Sequence, residues 1–206
     1  MTMVIGLTGG VGCGKSTVLR LMEQHFCCRG IRTDEVAREQ MEPGGVTYAR
    51  VLEEFGRGGE IVLTGADGAI DRAKLAEIVF SDAEKLARLN ALTHPAVTEY
   101  VLREVERERR EGRYDYLVIE TALLIEGGYG RFCDEVWYVS APAEDRRGRL
   151  RSSRGYSDRK IEELFARQQS EEAFLGVATA VIENGDGRSD ADILAQLSEI
   201  LRKVRK

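Results

Sequence analysis

The sequence lacks an apolar run of the roughly 18 residues that a membrane-spanning helix requires, so we expect no membrane partner. Its first residues, MTMVIGLTGGVGCGKST, lack the basic stretch of a secretory signal, and glycines interrupt their apolar run. We therefore expect no signal peptide. Together these absences indicate a cytoplasmic protein.

The sequence also contains few cysteines and no excess of positive charge. Its 4 cysteines form no C-x-x-C pair, which argues against a zinc site and indicates reduced thiols. The net charge of −5 argues against general nucleic-acid binding, because such binding needs a basic surface. Hydrophobic residues make up 43% of the 206 residues, enough for the core of one compact domain. We expect a monomer that does not bind nucleic acid.

Strand and helix patterns alternate along the chain. Apolar segments at 3–8, 114–120 and 134–140 predict buried strands, 178–184 predicts a weaker one, and a further short strand is possible near 30–33. This alternation predicts an α/β fold in which helices cover both faces of a parallel sheet, a three-layer arrangement. The predicted helices span 15–29, 34–42, 46–56, 71–80, 82–92, 95–110, 143–154, 157–173 and 189–205.

Particular residues set the limits of several predicted helices. Asp34, Asp71 and Asp82 are expected N-caps, and Pro95 is expected to begin a helix, where proline is tolerated. The glycine-rich segment 56–68 predicts irregular structure. The helix-rich stretch 34–111 lies between strands and therefore predicts an inserted helical sub-domain.

A phosphate-binding motif follows the first predicted strand. The segment GGVGCGKS (9–16) fits G-x-x-x-x-G-K-[ST] and lies between a strand and a helix, which is the confirming context. Glycines let main-chain N–H groups surround a phosphate, and the helix N-terminus adds a positive dipole. The predicted ATP-binding residues are Gly10, Val11, Gly12, Cys13, Gly14, Lys15, Ser16 and Thr17. Lys15 is expected to reach the β- and γ-phosphates, and Ser16 to bind Mg²⁺.

The loop alone is compatible with a small-molecule kinase, a GTPase switch or a motor ATPase. The sequence has no N-K-x-D segment to read a guanine base, and the chain is short for a motor. The inserted helices favour a kinase that holds its phosphate acceptor there. Seven arginines between 146 and 167 predict a lid that closes over phosphates, because the guanidinium group forms paired hydrogen bonds with them.

Several further segments, in order, resemble the dephospho-CoA kinase family. They are IGLTGGVGCGKSTV (5–18), TDEVARE (33–39), EPGG (42–45), LN-x-L-x-HP (89–95), LLIE (123–126), Gln168 and VIEN (181–184). The resemblance implies ATP-dependent phosphorylation of the 3′-hydroxyl of dephospho-coenzyme A with Mg²⁺, the last step of coenzyme A biosynthesis. It implies a nucleotide core (1–33, 112–142 and 175–206), an acceptor-binding part (34–111) and a lid (143–174).

The resemblance also assigns roles to single residues. Asp34 would orient and deprotonate the acceptor hydroxyl, with Arg38 and His94 also at the acceptor. Arg149 would contact the ATP phosphates. The loop around Asn184 would lie beside the adenine and read it through main-chain groups. Other small-molecule P-loop kinases, and a nucleotide-dependent switch, are the alternatives.

Some positions depart from the family pattern. Glu120 occupies a position where an aspartate is frequent, and it is either a Mg²⁺-associated acid or a strand-end acid. Cys13 replaces the usual serine of the loop. Its thiol is either exposed and reactive beside the helix N-terminus or packed inward and inert.

Overall fold

The computed structural model describes residues 1–56 and 63–204. Residues 57–62, within the segment predicted to be irregular, lie outside the described residues, as does position 205 of the last predicted helix. No helix in the described part is long and apolar enough to span a membrane. The strands are β1 Met3–Thr8, β2 Cys28–Arg32, β3 Tyr116–Glu120, β4 Glu135–Ser140 and β5 Ala180–Glu183. The α-helices are α1 Lys15–His25, α2 Thr33–Gln40, α3 Tyr48–Phe55, α4 Arg72–Phe80, α5 Ala83–Glu111, α6 Ala143–Arg154, α7 Asp158–Ala166, α8 Glu171–Val177 and α9 Asp190–Val204.

The predicted α/β fold is confirmed. The five strands form one sheet in the order β2-β3-β1-β4-β5, so β1 is central. β1 pairs in parallel with β3 and β4, and β4 pairs in parallel with β5. Because the carboxyl ends of parallel strands lie at one edge of the sheet, the segments that follow β1, β3, β4 and β5 meet there.

The hydrophobic core forms around the central strands. Ile5, Leu7, Trp137 and Val139 are at most 1% exposed, and they pack with apolar residues of α1 and α9. Strands buried on both faces contain nearly continuous apolar sequence, which explains why MVIGLT and EVWYVS could be recognised as strands. The position of β1 is therefore rigid, and the loop that follows it starts from a fixed point.

The chain divides into two compact units, residues 1–31 with 105–206, and residues 32–104. The first contains most of the sheet. The second is largely helical and has its own core, in which Val51, Phe55, Leu75 and Val79 are buried. The assignment of nucleotide, acceptor and lid roles to segments of these units stays a prediction.

Four predicted helix limits are wrong. The first helix ends at His25 and not at 29, because β2 begins at Cys28. Asp34 is not an N-cap, because α2 begins at Thr33 and Asp34 lies in its first turn. Pro95 does not begin a helix but lies inside α5. The buried row of Val97, Val101 and Val105 offsets the hydrogen bond that proline cannot donate. The predicted helix 157–173 is two helices, because the side chain of Ser170 accepts a hydrogen bond from the N–H of Ala173 and caps α8.

A buried carboxylate joins the end of α5 to the sheet unit. The side chain of Glu108 has no exposed surface and accepts hydrogen bonds from Arg29 at 3.0 Å and Arg113 at 2.6 Å. Burial favours the neutral acid, but the hydrogen bonds and charges of Arg113 and Arg29 outweigh it, so the pKa of Glu108 is lowered. Thr2 also donates to the main-chain oxygen of Glu108, at 3.1 Å. Glu108 is therefore a charged anchor between α5, β2 and the N-terminus.

We predict that Glu108→Gln lowers the free energy of unfolding by about 1.5–3 kcal/mol at neutral pH, the range for hydrogen bonds to a charged group. Because the pKa of Glu108 is lowered, its stabilisation is present above the ordinary value of 4.5 and is lost as pH falls through the lower folded value. Urea unfolding of wild type and variant between pH 3 and pH 7 measures this. The two plots of unfolding free energy against pH should converge at the acid end.

The matched control is Glu111→Gln. Glu111 also pairs with Arg113, at 3.0 Å, but its side chain is 37% exposed. Glu111→Gln should lower the free energy of unfolding by less than about 1 kcal/mol, as for surface ion pairs. A loss for Glu108→Gln no larger than for Glu111→Gln would contradict the anchor role.

Candidate active site

The loop of residues 9–14 connects the buried strand β1 to the N-terminus of α1. Gly12 and Gly14 have φ values of 78° and 90°, a left-handed region that other residues rarely adopt. Gly14 is also the N-cap of α1. A Cβ at Gly14 would lie 2.1 Å from Nδ2 of Asn184, so glycine is required there by space as well as by conformation.

Cationic side chains contact the carbonyl oxygens of this loop one after another. Nζ of Lys15 donates to the carbonyl of Gly9 at 2.8 Å and lies 3.4 Å from that of Gly10. Nε of Arg146 donates to the carbonyl of Val11 at 2.9 Å. Nη1 of Arg149 lies 3.4 Å from the carbonyl oxygens of both Gly12 and Cys13. Because a trans peptide directs its C=O and N–H to opposite sides, N–H groups of the loop point away from these cations. Those of Val11 and Cys13 already donate to Gln168 and to the carbonyl of Gly10, so the remaining ones are the groups that an anion could meet.

Arg149 reaches the loop, as expected for a phosphate-site arginine, and links it to the segment after β5. Its Nη2 donates to the carbonyl of Asn184 at 2.7 Å, and its guanidinium pairs with Asp186 at 2.8 Å. The ion pair is partly exposed, so we assign it little stability. Contact of Arg149 with nucleotide phosphates stays a prediction.

Asn184 has a second role that the sequence did not suggest. Its side chain is buried, and its Nδ2 donates to the carbonyl of Cys13 at 2.8 Å. Its main-chain N–H donates to Ser140 at the end of β4. The side-chain amide therefore ties the phosphate loop to the sheet, and the reading of adenine through main-chain groups of this segment stays a prediction.

Arg146 is a loop residue that sequence reasoning missed as an individual. The sequence predicts it only as one of the seven lid arginines, of which Arg149 alone has a role of its own. The spacing indicates such a role, because residues three apart share a helix face and Arg146 lies three residues before Arg149. Burial lowers the pKa of Arg146, and its guanidinium stacks 4.3 Å above the ring of Phe165.

An open cavity of about 500 Å³ adjoins the loop in the same unit. It lies beside Gly10 and the carboxyl ends of β4 and β5. Below it the rings of Tyr138 and Phe174 are stacked, with centroids 5.2 Å apart and an interplanar angle of 8°. Arg146 and Arg188 line its wall together with Glu171 and Glu183, and Arg188 pairs with Glu183. The stacked rings suit a ligand with a flat aromatic group.

The oxygens expected around Mg²⁺ lie at the same edge of the sheet. Ser16 is exposed in the first turn of α1. Glu120 ends β3 and pairs in register with Leu7, one residue before the end of β1. Mg²⁺ is usually held by one or two protein oxygens together with phosphates and water, so this set fits the ion. Within residues 1–56 and 63–204, no cluster of three His, Cys, Asp or Glu side chains forms a separate metal site.

The expected acceptor residues lie in the second unit, residues 32–104. Asp34 and Arg38 are exposed on α2 and are four residues apart, which places them on the same helix face. Arg38 and Arg72 line an open cavity of about 200 Å³ together with Glu35, Glu39 and Glu42. His94 lies within α5 and is exposed.

Comparisons with known proteins agree with this geometry. The family model described as dephospho-CoA kinase matches residues 3–190. A dephospho-CoA kinase of Corynebacterium diphtheriae is 39% identical over 198 residues, which cover 96% of this chain and 94% of that protein. The chain belongs to the dephospho-CoA kinase family. It is therefore a member of a family of kinases, and the resemblance noted in the sequence is confirmed.

Solved structures support the same fold. The crystal structure of TT1252 from Thermus thermophilus superposes with a TM-score of 0.76 at 29% identity, covering 98% of this chain and 97% of that one. Dephospho-CoA kinase from Campylobacter jejuni superposes with a TM-score of 0.70 at 22% identity, covering 99% and 98%. Both likenesses extend over almost the whole chain. The P-loop kinase fold predicted from the sequence is confirmed.

Cys13 is packed inward. Its side chain is 1% exposed and belongs to the core cluster with Ile5 and Leu7. Of the two alternatives for this thiol, the structure has the inward-packed one, because the carbonyl of Cys13 faces Asn184 and Arg149 while the side chain points into the core. Cys13 therefore replaces serine as a small buried residue.

We predict that iodoacetamide applied to the native protein labels Cys27, which is exposed, and spares Cys13. Cys133 should also be spared, since burial, with a further contribution from Asp134, raises its pKa to about 12. Mass spectrometry of the peptides, with and without ATP·Mg²⁺, measures this. Labelling of Cys13 as fast as Cys27, with protection by nucleotide, would contradict the buried position.

Proposed function

We propose that the protein transfers the γ-phosphate of ATP to the 3′-hydroxyl of dephospho-coenzyme A, giving coenzyme A and ADP, the final step of coenzyme A biosynthesis. The observation that carries the proposal is the family match over residues 3–190, in a chain whose loop 9–16 has the geometry of a phosphate cradle. We further propose that it acts as a cytoplasmic monomer that binds neither nucleic acid nor a membrane.

In this proposal the loop residues 10–17 bind the phosphates of ATP. Main-chain N–H groups and the N-terminus of α1 face the β-phosphate, and Lys15 turns from the carbonyls of Gly9 and Gly10 to the β- and γ-phosphates. Arg149 adds a second cation at the same phosphates. When bound, Mg²⁺ supplies charge neutralisation, held by the Ser16 hydroxyl and, through water, by Glu120.

The acceptor residues contribute positioning more than chemistry. Phosphoryl transfer passes through a loose transition state, so alignment and charge stabilisation dominate over proton removal. Asp34 holds the 3′-hydroxyl by accepting its proton in a hydrogen bond and takes that proton as the bond to phosphorus forms. Arg38 and His94 bind the charged and polar groups of the acceptor. The segment 143–174 closes as a lid and excludes water, which prevents loss of the γ-phosphate to hydrolysis.

The direct test compares acceptors in one assay. ADP release is measured with dephospho-coenzyme A, adenosine monophosphate and gluconate, each with ATP·Mg²⁺ and each against a control without acceptor. We expect strong ADP release with dephospho-coenzyme A and not with the other two acceptors. Faster ADP release with either of the other two acceptors would show a different kinase activity. ATP binding without acceptor-dependent ADP release would favour a nucleotide-dependent switch.

We predict that Lys15→Ala lowers kcat by about 10²–10³, the usual cost of removing one donor that stabilises developing charge. Steady-state kinetics and a thermal melt measure activity and folding together. Lys203→Ala serves as the control, because Lys203 is an exposed lysine of α9. A folded Lys15→Ala variant with near-normal turnover would remove the loop from the mechanism.

We predict that Asp34→Asn lowers kcat and leaves the KM for ATP unchanged within about twofold, because Asp34 acts on the acceptor and not on the nucleotide. The fall in kcat should be moderate, on the order of 10²-fold or less, since base catalysis is a minor contribution here. Glu84→Gln, at an exposed acid in the first turn of α5 in the same unit, is the control and should keep its kcat. Weakened ATP binding with unchanged kcat would show that Asp34 has another role.

A further inference from the structure

Val11, in the middle of the phosphate loop, has both of its main-chain polar groups bonded to side chains from the segment 143–174. Its N–H donates to Oε1 of Gln168 at 3.1 Å. Its carbonyl accepts from Nε of Arg146 at 2.9 Å. Side chains more than 130 positions away in the sequence therefore fix the orientation of this peptide unit.

Gln168 and Arg146 also contact each other. Nη2 of Arg146 donates to Oε1 of Gln168 at 2.7 Å, so the amide oxygen accepts two hydrogen bonds and closes a ring through Val11. The other end of the amide is fixed as well, because Nε2 donates to the carbonyl of Leu164 near the end of α7 at 3.1 Å. Two of the three hydrogen bonds in this ring end on the single oxygen of Gln168.

Gly10 provides an independent observation for the same arrangement. A Cβ at this position would lie 2.3 Å from Nη2 of Arg146 and 2.6 Å from Oε1 of Gln168. Gly10 is absent from the glycines with positive φ, so its conformation does not itself demand glycine. A side chain at Gly10 would therefore displace the guanidinium of Arg146 and the amide of Gln168 from the positions that they occupy here.

We propose that Gln168 is a positioning residue for nucleotide binding, which acts through Arg146 and Val11 to hold the phosphate loop in its binding shape. The inference rests on the proposed role of residues 10–17 in binding ATP. The N–H groups that follow Val11 can converge on one phosphate only while the loop keeps its curvature. Loss of the amide oxygen leaves the N–H of Val11 and one N–H of Arg146 without their acceptor, and the loop then samples other conformations.

The test uses Gln168→Met, which keeps the length of the side chain and removes its hydrogen bonds. The matched control is Gln24→Met, because Gln24 is an exposed glutamine of α1 that does not line the cavity, and its Oε1 also accepts from an arginine, Arg20, at 2.8 Å. The dissociation constant of a fluorescent ATP analogue with Mg²⁺ is measured by titration without acceptor. We expect Gln168→Met to weaken binding by about 5- to 30-fold, the loss of one or two hydrogen bonds, and Gln24→Met by less than about twofold.

Two further readouts separate positioning from a general loss of structure. The KM for dephospho-coenzyme A and the melting temperature of Gln168→Met should stay close to those of wild type. In a double-mutant cycle with Arg146→Met, the second substitution should add less than about twofold, because the two side chains act on Val11 as one unit. Unchanged analogue binding by Gln168→Met, an equal rise in both KM values, or additive losses in the cycle would each overturn the inference.

The same titration distinguishes this inference from the proposed function. Wild-type protein that fails to bind the analogue would overturn the ATP role and the inference together. Wild-type binding with no effect of Gln168→Met would overturn the inference alone.

Discussion

The pairing of cationic side chains with the carbonyl oxygens of residues 9–13 is the interaction on which the candidate site depends. Lys15 contacts the first two carbonyls, Arg146 the third, and Arg149 the last two. A loop with its carbonyls turned towards cations presents N–H groups on its other side, and such a concave surface binds anions. The cations therefore shape the loop from its carbonyl side.

The order of the strands makes this pairing possible. Because β1 is central, its loop lies between the ends of β3 and β4, with β5 next to β4. The chain that leaves β4 enters α6 and delivers Arg146 and Arg149, and the chain that leaves β5 delivers Asn184. Two segments distant in sequence from the loop thus meet it at one edge of the sheet. In a parallel sheet, the chain between two strands needs only enough length to return to the starting edge, so the ends of the strands meet whatever sequence connects them.

The sequence was sufficient to predict the strands, the phosphate loop and most helix limits, because each has a local cause. Apolar runs mark β1 and β4, the glycines and Lys15 mark the loop, and Asp71 caps α4 as expected. What the sequence left undecided at the site concerns packing at a distance. Whether the thiol of Cys13 is exposed, and whether the Asn184 side chain matters, depend on which atoms of the loop face the core and which face β5. No local pattern encodes those directions, so they required the structure.

The central claim is that the chain places a phosphate on one particular oxygen of dephospho-coenzyme A. ³¹P NMR of the purified product, after reaction with ATP·Mg²⁺, identifies that oxygen through phosphorus–proton coupling. The account predicts one new phosphomonoester resonance coupled to the ribose 3′ proton, with an equal amount of ADP. A phosphate on the 2′-oxygen, or release of inorganic phosphate with no new ester, would contradict it.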